Sequence, residues 1–186
     1  MKLRLLLLAL ALCGLVARDA AAQSHLRLDR IGGAIGYVSP EHIGGTLGLG
    51  VFADLGTIAP RIGLETRLDY WSSSDQLYGT KTSVHDVTLG ARGKYFFPAP
   101  GSKFRPFAGA GLGFHVLHAE ITIPVTPGVP EMTIGDSQTK LGLDLGGGAT
   151  TSVGPRTDLL GEIWYGIVSD VSQFSLRVGL SYKLGL

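Results

Sequence analysis

The segment from Phe174 to Leu186, FSLRVGLSYKLGL, alternates without a break. Phe174, Leu176, Val178, Leu180, Tyr182, Leu184 and Leu186 take one parity, and Ser175, Arg177, Gly179, Ser181, Lys183 and Gly185 take the other. A helix would scatter the two sets around its circumference, whereas a β-strand sorts them onto two faces. The run exceeds the ~5–6 residues of an ordinary strand and reaches the ~9–11 with which a tilted strand crosses a bilayer. A chain with such a strand needs a sheet that is apolar on one side and polar on the other.

The same period returns upstream. It predicts strands over Leu28–Val38, Thr46–Leu55, Arg61–Trp71, Asp86–Phe97, Phe107–His118, Thr139–Val153, Asp158–Val168 and Phe174–Leu186. GTIAP, PAPGSKFRP and GPRT are compact turns with Gly and Pro in turn-favoured places. The intervening connections include two long ones: the polar SSSDQLYGTKTSVH, and an irregular piece from Ala119 to Gln138 with Pro124, Pro127 and Pro130. Part of the latter, EITIPV, is positioned to extend its strand beyond a membrane. Short turns at one end and longer loops at the other are the asymmetry of outer-membrane barrels. The expected fold is all-β: an eight-stranded antiparallel up-and-down transmembrane β-barrel.

This pattern resembles the small OmpA/OmpX-type and OmpW-type β-barrels of the Gram-negative outer membrane, over residues 23–186. The final strand, with Val178, Leu180, Tyr182, Leu184 and Leu186, is similar to their C-terminal assembly signal, with Leu186 where Phe is usual. The resemblance implies an integral outer-membrane protein in contact with outer-membrane lipids and lipopolysaccharide, delivered by the outer-membrane assembly machinery.

Lys2 and Arg4, the apolar run Leu5–Val16 and the small residues Ala20–Ala22 read as a signal peptide over residues 1–22, cleaved after Ala22. The apolar run is too short for a transmembrane helix. The one cysteine, Cys13, falls in that leader, so the mature barrel is expected to have no disulfide. Losing three of 16 cations and one of 15 anions with the leader leaves 13 against 14, which excludes a basic field for nucleic acid. The 28 glycines show no collagen period. In the fifth and sixth strands they sit mostly on the polar parity, where a narrow barrel needs room for side chains.

Charges are missing from the apolar parity of strands two to eight, and a Lys or Arg there would cost roughly 2–4 kcal/mol at mid-bilayer. That parity is expected to face lipid. The other fills the bore and brings Glu65, Arg67, Arg92, Asp144, Glu162 and Arg177 to mid-strand, three acids and three arginines. Burying single charges costs several kcal/mol each, so a paired ionic plug is expected. Tyr37, Tyr70, Tyr95, Phe97, Phe107, Phe174 and Tyr182 lie near strand ends as candidate interfacial girdles.

Motifs of chemistry are weak. GAGLG at Gly109–Gly113 lacks the spacing and the following helix of a nucleotide fingerprint. His115 and His118 fall on opposite strand faces, poor geometry for one metal. No His-x-Ser pair of the lipid A deacylase type occurs on a strand. No catalytic residue, cofactor or metal is expected. The leading functional expectation is a structural or interaction barrel that meets surface partners through loop 119–138. The alternatives are a narrow channel for small or apolar solutes and, after it, a lipid-modifying barrel enzyme.

Overall fold

Alternation on this scale closes a sheet on itself, because an open one would leave two long unpaired edges in lipid. The computed structural model describes residues 25–77, 80–123, 132–169 and 171–185. The expected leader at 1–22, the terminal Leu186 and the Pro-rich centre of loop 119–138 lie outside the described residues. The strands are β1 (His25–Pro40), β2 (Thr46–Ala59), β3 (Ile62–Leu77), β4 (Thr80–Phe96), β5 (Phe104–Ile123), β6 (Met132–Ser152), β7 (Thr157–Val168) and β8 (Gln173–Lys183). Each pairs antiparallel with the next, and β1 pairs with β8 to close the barrel.

Two of the expected loops are largely strand. SSSDQLYGTKTSVH forms a paired hairpin from Ser72↔His85 to Leu77↔Thr80. The piece from Ala119 to Gln138 is paired from Ala119↔Asp136 to Ile123↔Met132. Polarity suggested a loop in both cases, yet Ser, Thr and Ile all fit a pleated backbone, and what changes here is the solvent rather than the conformation. The last strand is corrected in the other direction. Its ladder with β1 ends at Lys183, paired with Arg30. Leu184 instead donates its N–H to the carbonyl of Asp29 at 3.0 Å, and Gly185 turns away at φ 66°.

The long hairpins reverse the polarity of the wall. On β5, Leu112, Phe114 and Val116 point outward, and His118, Glu120 and Thr122 continue that parity. On the inner parity His115 is buried, followed by Leu117, Ile121 and Ile123. β4 behaves alike, with Val87 and Leu89 outside but His85 and Ser83 above them. Below this level the greasy side faces out; above it the outer side is polar. The inner side there is apolar along β5 but mixed on β3, β4 and β6, where Ser73, Asp75, Thr82, Asp136 and Gln138 share it with Leu77, Val84, Ile134 and Met132. The inversion marks where hydrocarbon gives way to water.

β3 to β6 therefore rise as one sheet past the rim. β2 begins only at Thr46 and the β6–β7 ladder stops at Gly142↔Val168, so residues 132–141 of β6 pair on one side alone. At the opposite end the connections are tight. The β2–β3 turn is Pro60-Arg61, with Arg61 at φ 67° and its carbonyl accepting from Phe96 N–H at 2.8 Å.

If the inversion marks the membrane boundary, a cysteine at Val116 in the reconstituted barrel will resist a water-soluble maleimide and one at Glu120 will react. Equal labelling at both sites would place the boundary elsewhere.

Candidate functional site

The inner parity of β3, β4, β6, β7 and β8 delivers ionisable side chains into a narrow bore. Glu65, Arg67, Arg92, Asp144, Glu162 and Arg177, expected there from the sequence, are each at most 5% exposed. Asp69 and Lys94 join them. Among the described residues, the layer thus holds four carboxylates (Glu65, Asp69, Asp144, Glu162) and four cations (Arg67, Arg92, Lys94, Arg177).

Arg67 is its centre. Its Nε and one terminal nitrogen donate to the two oxygens of Asp69 at 2.5 and 2.9 Å, a planar fork on a carboxylate. Its other terminal nitrogen donates to Glu162 Oε1 at 2.9 Å. Arg92 donates twice to Asp144 Oδ2, at 3.0 and 2.7 Å, and lies 3.9 Å from the centre of the Trp164 ring. Lys94 bonds Glu65 and reaches Glu162 Oε2 at 3.4 Å, while Arg177 bonds Asp69. Glu162 is shared by three cations, since Arg92 also approaches it at 3.8 Å.

Glycine makes the layer fit. Arg67 stands opposite Gly90, Arg92 opposite Gly111, Lys94 opposite Gly109, Glu162 opposite Gly148, Arg177 opposite Gly36 and Asp69 opposite Gly50. A Cβ at Gly111 would come 2.5 Å from Arg92 Cγ, and one at Gly50 would come 2.0 Å from Asp69 Oδ1. The charged side chains lie across the neighbouring strand instead of all converging on the axis.

Apolar groups close the bore beside this layer. Ala34, Phe52, Phe107, Leu160 and Trp164, with Phe96 packed against them, form a cluster on the turn side. Phe107 therefore leaves the expected girdle. It is 3% exposed and points inward, because it shares the parity of Gly109 and Gly111, and its ring lies 4.8 Å below the Lys94 ammonium. Tyr37, Tyr95, Phe97, Phe174 and Tyr182 face outward near the strand ends, and Tyr70 faces outward from the middle of β3. On the loop side Val38, Trp71 and Leu117 pack with Ile43, Val84 and Val171.

Two smaller polar groups flank these layers. His115, Asp86 and Thr88 are mutually bonded: His115 Nδ1 lies 2.8 Å from Asp86 Oδ2 and 2.9 Å from Thr88 Oγ1, which itself donates to Asp86 at 2.9 Å. Only Nδ1–H suits a carboxylate acceptor, so the hydroxyl sits at the same nitrogen as the acid. A hydrolase triad needs its hydroxyl at the opposite nitrogen. The trio is a buried brace. At the turn end Asp158 accepts from Ser152 Oγ at 2.6 Å and meets Lys183, Arg30 and Arg105 at 3.0, 3.3 and 3.6 Å. A cavity of about 290 Å³, lined in part by Arg30, Asp54, Arg105 and Lys94, leads from that end toward the ionic layer.

Asp69 and Lys94 share the parity of the expected residues, and that parity was the available signal. The identity of each pair was not readable, since Arg67 and Glu162 are 95 residues apart.

A family model described as the outer membrane protein beta-barrel domain matches residues 5–183. The chain belongs to that family. It is an integral protein of the bacterial outer membrane, and its outward apolar band faces the acyl chains. This outer-membrane barrel is similar in fold to Neisserial surface protein A, at 18% identity and TM-score 0.61, covering 83% of this chain and 96% of that one. It is also similar to a major outer membrane protein from Thermus thermophilus (17%, TM-score 0.58, covering 83% and 99%). A third is Ail, the attachment invasion locus protein of Yersinia pestis (13%, TM-score 0.54, covering 84% and 99%). No curated protein matches by sequence.

Glu162→Gln leaves three buried cations short of one carboxylate and is expected to cost about 3 kcal/mol or more in urea unfolding of the vesicle-inserted barrel. Gly111→Val, which forces a branched side chain against the Ala91 carbonyl and Arg92, is expected to cost ~1–3 kcal/mol. Gly161→Ala, with nothing within 4 Å of the new Cβ, should leave the midpoint unchanged.

Proposed function

We propose that the protein is a closed, membrane-anchored interaction barrel that presents the β3–β6 sheet at the cell surface. The observation that carries this reading is the inversion of polarity above the membrane. A sheet serving only to span lipid has no use for an inward apolar face beyond the rim. That face carries Leu77, Ile121, Ile123, Met132 and Ile134, all exposed, interspersed with Asp75, Thr82, Asp136 and Gln138 and next to the one-sided stretch of β6. Exposed apolar side chains beside a sheet edge suit contact with another macromolecule.

The filling of the bore supports anchoring over conduction. An ionic layer between two apolar clusters leaves a diffusing solute both a charge barrier and a steric one. We read the role as non-catalytic, because the Asp86–Thr88–His115 brace lacks the geometry for proton transfer to a nucleophile.

Ail has been crystallised with the heparin analogue sucrose octasulfate. A polysulfate suits this chain less well. Its outer strands and first loop carry Glu41, Asp75, Glu120 and Asp136 against Lys81 and Lys140. Contact with lipopolysaccharide falls to the outward polar parity above the inversion, where Lys81, His85 and His118 sit.

The competing reading, a narrow channel for small solutes, draws on the vestibule at the turn end. Planar-bilayer recording separates the two. The intact barrel is expected to be electrically silent, and replacing residues 120–135 by a two-residue turn, which removes Ile121, Ile123, Met132 and Ile134, should leave the barrel folded while abolishing surface binding. Stable single-channel steps would favour the channel.

A further inference from the structure

The two ends of the barrel carry opposite charge: every turn-end connection bears a cation, and three of the four at the other end bear an acid, the fourth, Tyr78-Gly79, being uncharged. Each of the three tight turns contains a single charged residue, and it is a cation: Arg61 in 60–61, Lys103 in 97–103 and Arg156 in 153–156. All three are exposed, and none meets a carboxylate among the described residues. The nearby acids are already engaged: Asp29 by Arg27, Asp54 by Arg30, and Asp158 by Arg30, Arg105 and Lys183. At the other end, connections 41–45, 124–131 and 169–172 each contain one acid and no Lys or Arg in the sequence.

Arg61 gives a second indication. It occupies a left-handed backbone position, φ 67°, where glycine would be under less steric strain. A long cation there projects from the tip of a two-residue turn.

Depth is set by the neighbours. Lys103 lies between the outward Phe97 and Phe104, and Arg156 follows the exposed Val153 and lies near Tyr182, which pairs with Thr157. Aromatic residues at a barrel end sit at headgroup level, so the cations beside them stand among phosphates rather than in open water. In the outer membrane that leaflet is the periplasmic one, because short turns and both termini face the periplasm.

We propose that Arg61, Lys103 and Arg156 form a basic collar that binds the phosphodiester headgroups of anionic phospholipids in the periplasmic leaflet. Each cation near an anionic surface contributes a preference of roughly fivefold. The collar holds the turn end of the barrel against the inner leaflet, and the acidic loops at the far end have no such attraction.

The test compares spin-labelled phosphatidylglycerol with spin-labelled phosphatidylcholine at the surface of the full barrel in vesicles. The wild-type protein is expected to prefer phosphatidylglycerol severalfold, and the preference should fall as salt is raised. The combined Arg61→Gln, Lys103→Gln and Arg156→Gln variant should lose it, while Lys81→Gln at the other end should retain it. Equal association of both lipids with the wild type, selectivity that persists in the triple variant, or equal loss in Lys81→Gln would overturn the collar. So would turn-dependent sedimentation with purified sacculi in the absence of any lipid preference, which would assign the turns to the cell wall. Should the triple variant fail to fold, the wild-type salt titration decides: a preference that survives molar salt is not electrostatic, and the collar is then overturned.

Discussion

A charge removed from water loses several kcal/mol unless another charge or a set of dipoles replaces the lost hydration. An eight-stranded barrel has a bore just wide enough for side chains, so its inward charges must solvate one another. That requirement accounts for the four acids and four cations around Arg67 and Glu162. It accounts also for the glycines, since arginines can reach carboxylates on other strands only by lying across backbone that carries no Cβ. Interior packing and the glycine content are two sides of one constraint.

The outer surface obeys a different solvent. Below His85 and His118 it must be apolar because it meets acyl chains; above them it must be polar because it meets water. The inner surface of β5 changes in the opposite sense, from the buried bore to the exposed Ile121 and Ile123. One backbone ladder, continuous from Phe104 to Ile123, runs through both regimes. The extended sheet and the anchored barrel are the same strands in two environments.

Much of this was legible in the chain because a period of two is a local property. The face of Leu112, Phe114 and Val116, the inward turn of Glu162 and Arg177, and the compact turn at Gly154-Pro155 all follow from neighbours in sequence; the β2–β3 turn was expected over Gly56–Pro60 and falls at Pro60-Arg61 instead. The same reading failed where polarity stood in for conformation. Ser72–Leu77 and Thr80–His85 looked like loop because they are hydrophilic, yet they pair residue for residue. Phe107 looked like a membrane aromatic because it stands near a strand end, although its own parity already turned it inward.

The sequence by itself determined the strand count, the two faces and the sign of what each face must meet, since alternation fixes these one strand at a time. Only the closed tertiary structure decided which charges meet: that Arg67 joins Asp69 and Glu162, that Lys94 and Asp69 belong to the layer, and that β8 stops at Lys183. Those outcomes depend on register around the ring, and register is a relation between segments up to the full length of the barrel apart.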